Sequence, residues 1–187
     1  MKMKPYVLIF TIAIMMVISG CGKNNSDGEN SGTNNEPQHE NMEMEHSGSG
    51  EVPPTLKKAE NPTYQVGSTA IIETDHMKGM EGAEATIVGA YDTVAYTVSY
   101  TSTTDGKRVE NHKWVIQEEL KDADDKTLEK GSEATLLADH MQGMEGAVAE
   151  IDSAEHTTVY MVDYNPTTGG ERVTNHKWVT ESELSGN

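Results

Sequence analysis

Val94-Ala95-Tyr96-Thr97-Val98-Ser99-Tyr100 alternates large apolar and small or polar side chains over seven residues. A period of two is the signature of a strand with one buried face. The stretch returns 64 residues later, where Tyr160, Val162 and Tyr164 keep the same face. Working outward, residues 64–120 and 128–184 align without a gap and are identical at 30 of 57 positions. In each copy a short extended run, Thr69 to Glu73 in the first, precedes a glycine-rich loop. Glu84 to Ala90 follows as a second strand and the Val94–Tyr100 stretch as a third. Turns at Thr103-Thr104-Asp105-Gly106 and Pro166-Thr167-Thr168-Gly169-Gly170 lead into a fourth strand, Arg108 to Val115 in the first copy. Residues 117–120 close the unit. No stretch inside the copies has a helical period. The class expected is all-β.

Five short strands in fewer than 60 residues suit a small closed barrel, which leaves no exposed edges. The run from Gly79 to Ile87 resembles the loop-to-strand turn of SH3-like barrels of the KOW type. The expectation is therefore two tandem five-stranded SH3-like barrels, residues 63–121 and 127–185, joined by a short charged linker. A 35% hydrophobic content in 187 residues, part of it in the first twenty, also favours two small cores over one large one.

The N-terminus reads differently. Lys2 and Lys4 precede an apolar run from Tyr6 to Ile18, and Ile18-Ser19-Gly20-Cys21 ends it. This resembles the lipobox of bacterial lipoproteins. It implies a signal peptide over 1–20, lipidation of Cys21, attachment to the membrane through lipid alone, and an extracytoplasmic location. Residues 21–62 read as a disordered tether rich in Asn, Ser, Gly and Glu. Within it His39, Met42, Met44 and His46 form a candidate flexible metal-catching segment, and ordinary low-complexity sequence is the other reading. Cys21 is the only cysteine, so no intramolecular disulfide can form. A formal charge of −17 argues against nucleic acid as a partner and suits cations.

The glycine-rich loop carries the chemistry. His76-Met77-Lys78-Gly79-Met80-Glu81-Gly82-Ala83 recurs as His140-Met141-Gln142-Gly143-Met144-Glu145-Gly146-Ala147. Thioether and imidazole together suit Cu(I), and Met is a poor ligand for zinc. Met77 and Met80 can equally be core plugs, because Met fills irregular gaps. A second repeated group is Asn111-His112-Lys113-Trp114 and Asn175-His176-Lys177-Trp178. By strand parity His112 and Trp114 share a face, so His112 can complete a His/Met site if the loop folds over that strand. A carbonyl-bonded histidine is the alternative. His156 has no counterpart in the first copy. No nucleophile elbow, free thiol or phosphate-cradling loop is present, so no catalysis is expected.

The lipobox, the His/Met tether and two copies of the HMxGMxGA…GxxVxNHKWVxxxEL pattern together resemble the YdhK family of bacterial lipoproteins, over nearly all of residues 64–184. Relatives of the CopL type are extracellular copper-binding proteins. The resemblance implies surface copper binding, with His76, Met77, Met80, His112, His140, Met141, Met144 and His176 as the matching positions. It implies sequestration or buffering of Cu(I), with a copper exporter as candidate partner. The rival expectation is a non-catalytic adhesion or scaffold module that binds wall polymer or protein, which needs exposed aromatic side chains.

Overall fold

The computed structural model describes residues 47–123 and 126–186. The expected signal peptide, Cys21 and the tether positions His39, Met42, Met44 and His46 lie outside these residues. Among the described residues all regular structure is β, apart from two single 3-10 turns at Gln117–Glu119 and Glu181–Glu183. No helix among the described residues is long and apolar enough to cross a membrane.

Eight strands form one antiparallel sheet: β1 (Lys57–Lys58), β2 (Thr69–Ile72), β3 (Glu84–Thr101), β4 (Arg108–Ile116), β5 (Glu133–Thr135), β6 (Val148–Tyr164), β7 (Val173–Thr180) and β8 (Leu184–Ser185). The path β5-β6-β3-β2-β8 is open, with β1 and β4 also on β3 and β7 on β6. The expected pair of closed five-stranded barrels is therefore not what forms. The two strands expected at Glu84–Ala90 and Val94–Tyr100 are one strand of 18 residues. Tyr91, Asp92 and Thr93 stay paired with Val159, Thr158 and Thr157, so the chain runs straight through. The copy does the same over 17 residues. The two long strands then pair with each other, from Ala85 opposite Tyr164 to Tyr100 opposite Ala149.

This pairing exchanges the cores between the repeats. One cluster joins Ala70, Ile72, Met80, Ala85 and Ile87 of the first repeat to Tyr160, Val162, Tyr164, Val179 and Leu184 of the second. Another joins Tyr96, Val98, Tyr100, Val115 and Leu120 to Leu136, Met144, Ala149 and Ile151. Each core is half of one repeat and half of the other, so the expected domains 63–121 and 127–185 follow the sequence repeat but not the packing. All of this belongs to one compact unit.

A third cluster lies on the opposite face of the long strands. It holds Tyr91, Ala95, Trp114, Ile116, Val159, Met161 and Trp178, with Leu56 packed into it. Leu56 also explains why the tether stops short of its expected end at residue 62. Burying one leucine is worth about 1.5–3 kcal/mol. Around it, Lys57 pairs with Asp92, and the Ala59 amide donates to the Ala90 carbonyl at 3.0 Å.

Candidate functional site

The repeated loop is fixed by its neighbour in the other repeat. The Thr167 amide donates to the Gly79 carbonyl at 2.9 Å, and the Thr103 amide donates to the Gly143 carbonyl at 2.9 Å. Gly79 has φ +84°, and a Cβ there would lie 2.6 Å from Thr168 Oγ1. Glycine is thus required both by the backbone and by the close approach of the opposite hairpin. Met80 and Met144 point into the two exchanged cores and are fully buried. Their expected place in a ligand set is not what the fold gives them; they are core plugs.

His76, Met77, His112, His140, Met141 and His176 behave otherwise. All six line one cavity of about 560 Å³, together with Asp75, Asp139, Lys113 and Lys177. The four duplicated histidines thus meet in one space. His112 and His140 have ring centroids 6.4 Å apart. His112 packs edge-on against Tyr100, and His176 against Tyr164.

The parity argument that put His112 and Trp114 on one face does not hold. Tyr96 faces Val115, but Val98 faces His112, so β4 carries an extra residue there. A bulge of this kind shifts every side chain beyond it to the other face. His112 therefore turns to the cavity, while Trp114 joins the third cluster. The second repeat repeats the shift between Tyr160 opposite Val179 and Val162 opposite His176.

Two residues that sequence reasoning passed over complete the arrangement: Glu119 and Glu183, both buried. Glu183 Oε1 lies 2.7 Å from His76 Nε2, and Trp114 Nε1 donates to its Oε2 at 2.7 Å. Glu119 Oε1 lies 2.8 Å from His140 Nε2, and Trp178 Nε1 donates to its Oε2 at 3.1 Å. Backbone amides of Thr180 and Ile116 add a further donor to each. The only signal in the sequence was the repeated Glu-Leu at 119–120 and 183–184, inconspicuous among 31 acidic residues.

Burial pushes the Glu183 carboxyl up, but the hydrogen bond and charge of His76, with the Thr180 amide and Trp114, outweigh it and hold the group at about 2. An ionised carboxylate only accepts, so His76 Nε2 carries a proton and donates it. In a neutral imidazole the other nitrogen is then a lone pair. Nδ1 of His76, Nδ1 of His140 and Nε2 of His112 are all buried with no hydrogen-bond partner. A carboxylate behind an imidazole whose other nitrogen is free is the supporting arrangement of metal-ligating histidines. Among the described residues, no three His, Cys, Asp or Glu side chains already stand together as a metal-binding group. The donors that line the cavity are imidazole and thioether, with the carboxylates of Asp75 and Asp139 beside them; imidazole with thioether is a set that suits soft ions.

Burial drives His112 down to about 4; the charges of His140 and His76 add to this, and Glu119 opposes it. Its ordinary value is 6.5, so the unfolded chain takes up the proton first. The resulting stability is full above pH 6.5 and is lost as the pH falls toward 4, a total on the order of 3 kcal/mol. Glu183 adds a loss of the same sign only at lower pH, between 4.5 and 2. The thermal midpoint of the metal-free protein should drop between pH 6.5 and 4.5, and His112→Asn should flatten that drop. A parent midpoint constant over this interval would contradict the burial of a neutral His112.

Fold and site define an internally duplicated all-β protein whose halves exchange strands to enclose a shared His/Met cavity. The family described as protein of unknown function (DUF1541) matches residues 66–117 and again 130–181, and the chain belongs to this family. The uncharacterized protein YdhK of Bacillus subtilis (strain 168) is 60% identical over 186 residues, which is 99% of this chain and 91% of that one. A crystal structure of a DUF1541 family protein (ydhK) from Bacillus subtilis subsp. subtilis str. 168 superposes with a TM-score of 0.75. It is 67% identical and covers 78% of this chain and 99% of its own. A solution structure of the ydhK C-terminal domain from B. subtilis gives a TM-score of 0.63 at 69% identity, over 66% of this chain and 93% of its own.

Proposed function

We propose that this chain binds Cu(I) in the His/Met cavity and sequesters or buffers copper at the outer face of the membrane, held there by lipid on Cys21. The observation that carries the reading is the set of buried, unpartnered nitrogens on His76, His112 and His140 in a cavity that Met77 and Met141 also line. A buried ring nitrogen without a hydrogen-bond partner is costly, and a metal ion would compensate it. The residues that would hold the ion are His76, His112, His140 and His176 with Met77 and Met141. The chemistry supplied is binding alone, with no reaction. The tether positions His39, Met42, Met44 and His46 would serve as capture ligands, and a copper exporter remains the candidate acceptor.

The adhesion reading needs exposed aromatic side chains, and among the described residues Tyr64 is half-buried. Trp114, Trp178, Tyr91, Tyr96, Tyr100, Tyr160 and Tyr164 are all buried. Isothermal titration of Cu(I) into residues 22–187 under reducing conditions tests the copper reading. Replacing all four cavity histidines with Asn should weaken binding by more than the roughly 10–100-fold that loss of a supporting residue costs. Unchanged affinity would remove the cavity as the site.

A further inference from the structure

We propose that the cavity holds two Cu(I) ions, one in each of two crossed half-sites: His140 and Met141 with His112, and His76 and Met77 with His176. The proposal rests on the copper reading above and specifies how the repeats share the metal.

The crossing is written into the contacts. The loop of His140 and Met141 is anchored at Gly143 by Thr103 of the first repeat, and His140 is held by Glu119 of the first repeat. Beneath it lies the core that contains Met144 and Tyr100, and Tyr100 carries His112 against its ring. The other half mirrors this. The loop of His76 and Met77 is anchored at Gly79 by Thr167 of the second repeat, and His76 is held by Glu183 of the second repeat. Met77 packs on the core that contains Tyr164, whose ring meets His176. In the first half the meeting is direct, with the His112 and His140 rings 6.4 Å apart; in the second, the repeat assigns His176 to His76, so that each half takes its loop from one repeat and its strand histidine from the other.

Two ions follow from the separate supports. A single ion bound by all four imidazoles needs every nitrogen about 2 Å from one point. Here His76 and His140 hang from different carboxylates, beside different loops, over different cores. No three of the described His, Cys, Asp or Glu side chains form a common group. Imidazole pairs with a thioether alongside match the low coordination numbers of Cu(I). The strand bulges at His112 and His176 recur at the same place in both repeats, so both halves receive the same donors.

Native mass spectrometry of the full chain in detergent, loaded with Cu(I) under anaerobic reducing conditions, counts the ions. The four-histidine Asn variant should carry two fewer than the parent. The crossed pair His112→Asn/His140→Asn should lose one, and His76→Asn/His176→Asn should lose one. The same-repeat pair His76→Asn/His112→Asn takes a ligand from each half and should lose both. A loss of only one ion in the four-histidine variant, or a same-repeat pair that loses fewer than two, overturns the crossed dinuclear site while leaving copper binding intact. No loss in the four-histidine variant overturns the copper reading as well. Met141→Leu, which leaves every histidine in place and hardly perturbs folding, should weaken one ion of the two and not the other. Equal weakening of both, or of neither, also counts against the proposal.

Discussion

Residues 63–121 produced alone should not fold as a monomer. In the intact chain Ala70, Ile72, Met80, Ala85 and Ile87 are covered by Tyr160, Val162, Tyr164, Val173, Val179 and Leu184 of the other repeat. Each large apolar side chain so buried contributes about 1.5–3 kcal/mol. Loss of six such partners is comparable to the whole stability of an ordinary domain, about 5–15 kcal/mol. The long strand β3 would also lose the partner that pairs with it from Ala85 to Tyr100 and expose a long apolar edge. A second copy of the same repeat can restore both, because 30 of 57 positions are identical and the exchanged arrangement is self-complementary. The expected behaviour is an unfolded chain at low concentration and a folded symmetric dimer at higher concentration. Circular dichroism against concentration, with sedimentation, measures it. A folded monomer with the thermal stability of the full chain would show that the repeats are independent domains after all.

The same feature sets the limit of what was legible in the sequence. The all-β class follows from Val94–Tyr100, but the single buried face its alternation predicts does not: all seven residues are buried, because Val94, Tyr96, Val98 and Tyr100 enter one cluster and Ala95 enters the cluster on the other face. The duplication and the glycine loop were equally visible. What was not visible is where a strand ends. Glu84–Ala90 and Val94–Tyr100 each satisfy a local strand pattern, and the three residues between them decide between a barrel and an exchanged sheet. Nothing in their composition announces a partner 64 residues away. Bulges are hidden for a similar reason: one extra residue in β4 reverses the parity of His112 and Trp114, and parity was the only guide to their faces. Glu119 and Glu183 were hidden by the acidity of the whole chain, because burial is what distinguishes them.

The loop methionines offer the sharpest test of that division between fold and function. In His-Met-x-Gly-Met the two thioethers are equivalent by composition and only three residues apart, yet the backbone sends them to different places. Met80 and Met144 are fully enclosed, one in each exchanged core, whereas Met77 and Met141 line the cavity. Met80→Ala should cost about 2–5 kcal/mol, the range for removing a large core side chain. Met144→Ala should cost about as much, and because the two cores are separate clusters the losses should add. The double variant then approaches the total stability of the protein and should be largely unfolded at room temperature. Met77→Leu and Met141→Leu keep volume at partly exposed positions, so each should cost less than about 1.5 kcal/mol. Denaturant unfolding of the four variants measures the first effect and Cu(I) titration the second. Stability should follow Met80 and Met144, and copper affinity should follow Met77 and Met141. If Met80→Leu, which preserves the core, weakened Cu(I) binding as much as Met77→Leu, the ion would have to reach into the core. Core and cavity would then not be separate.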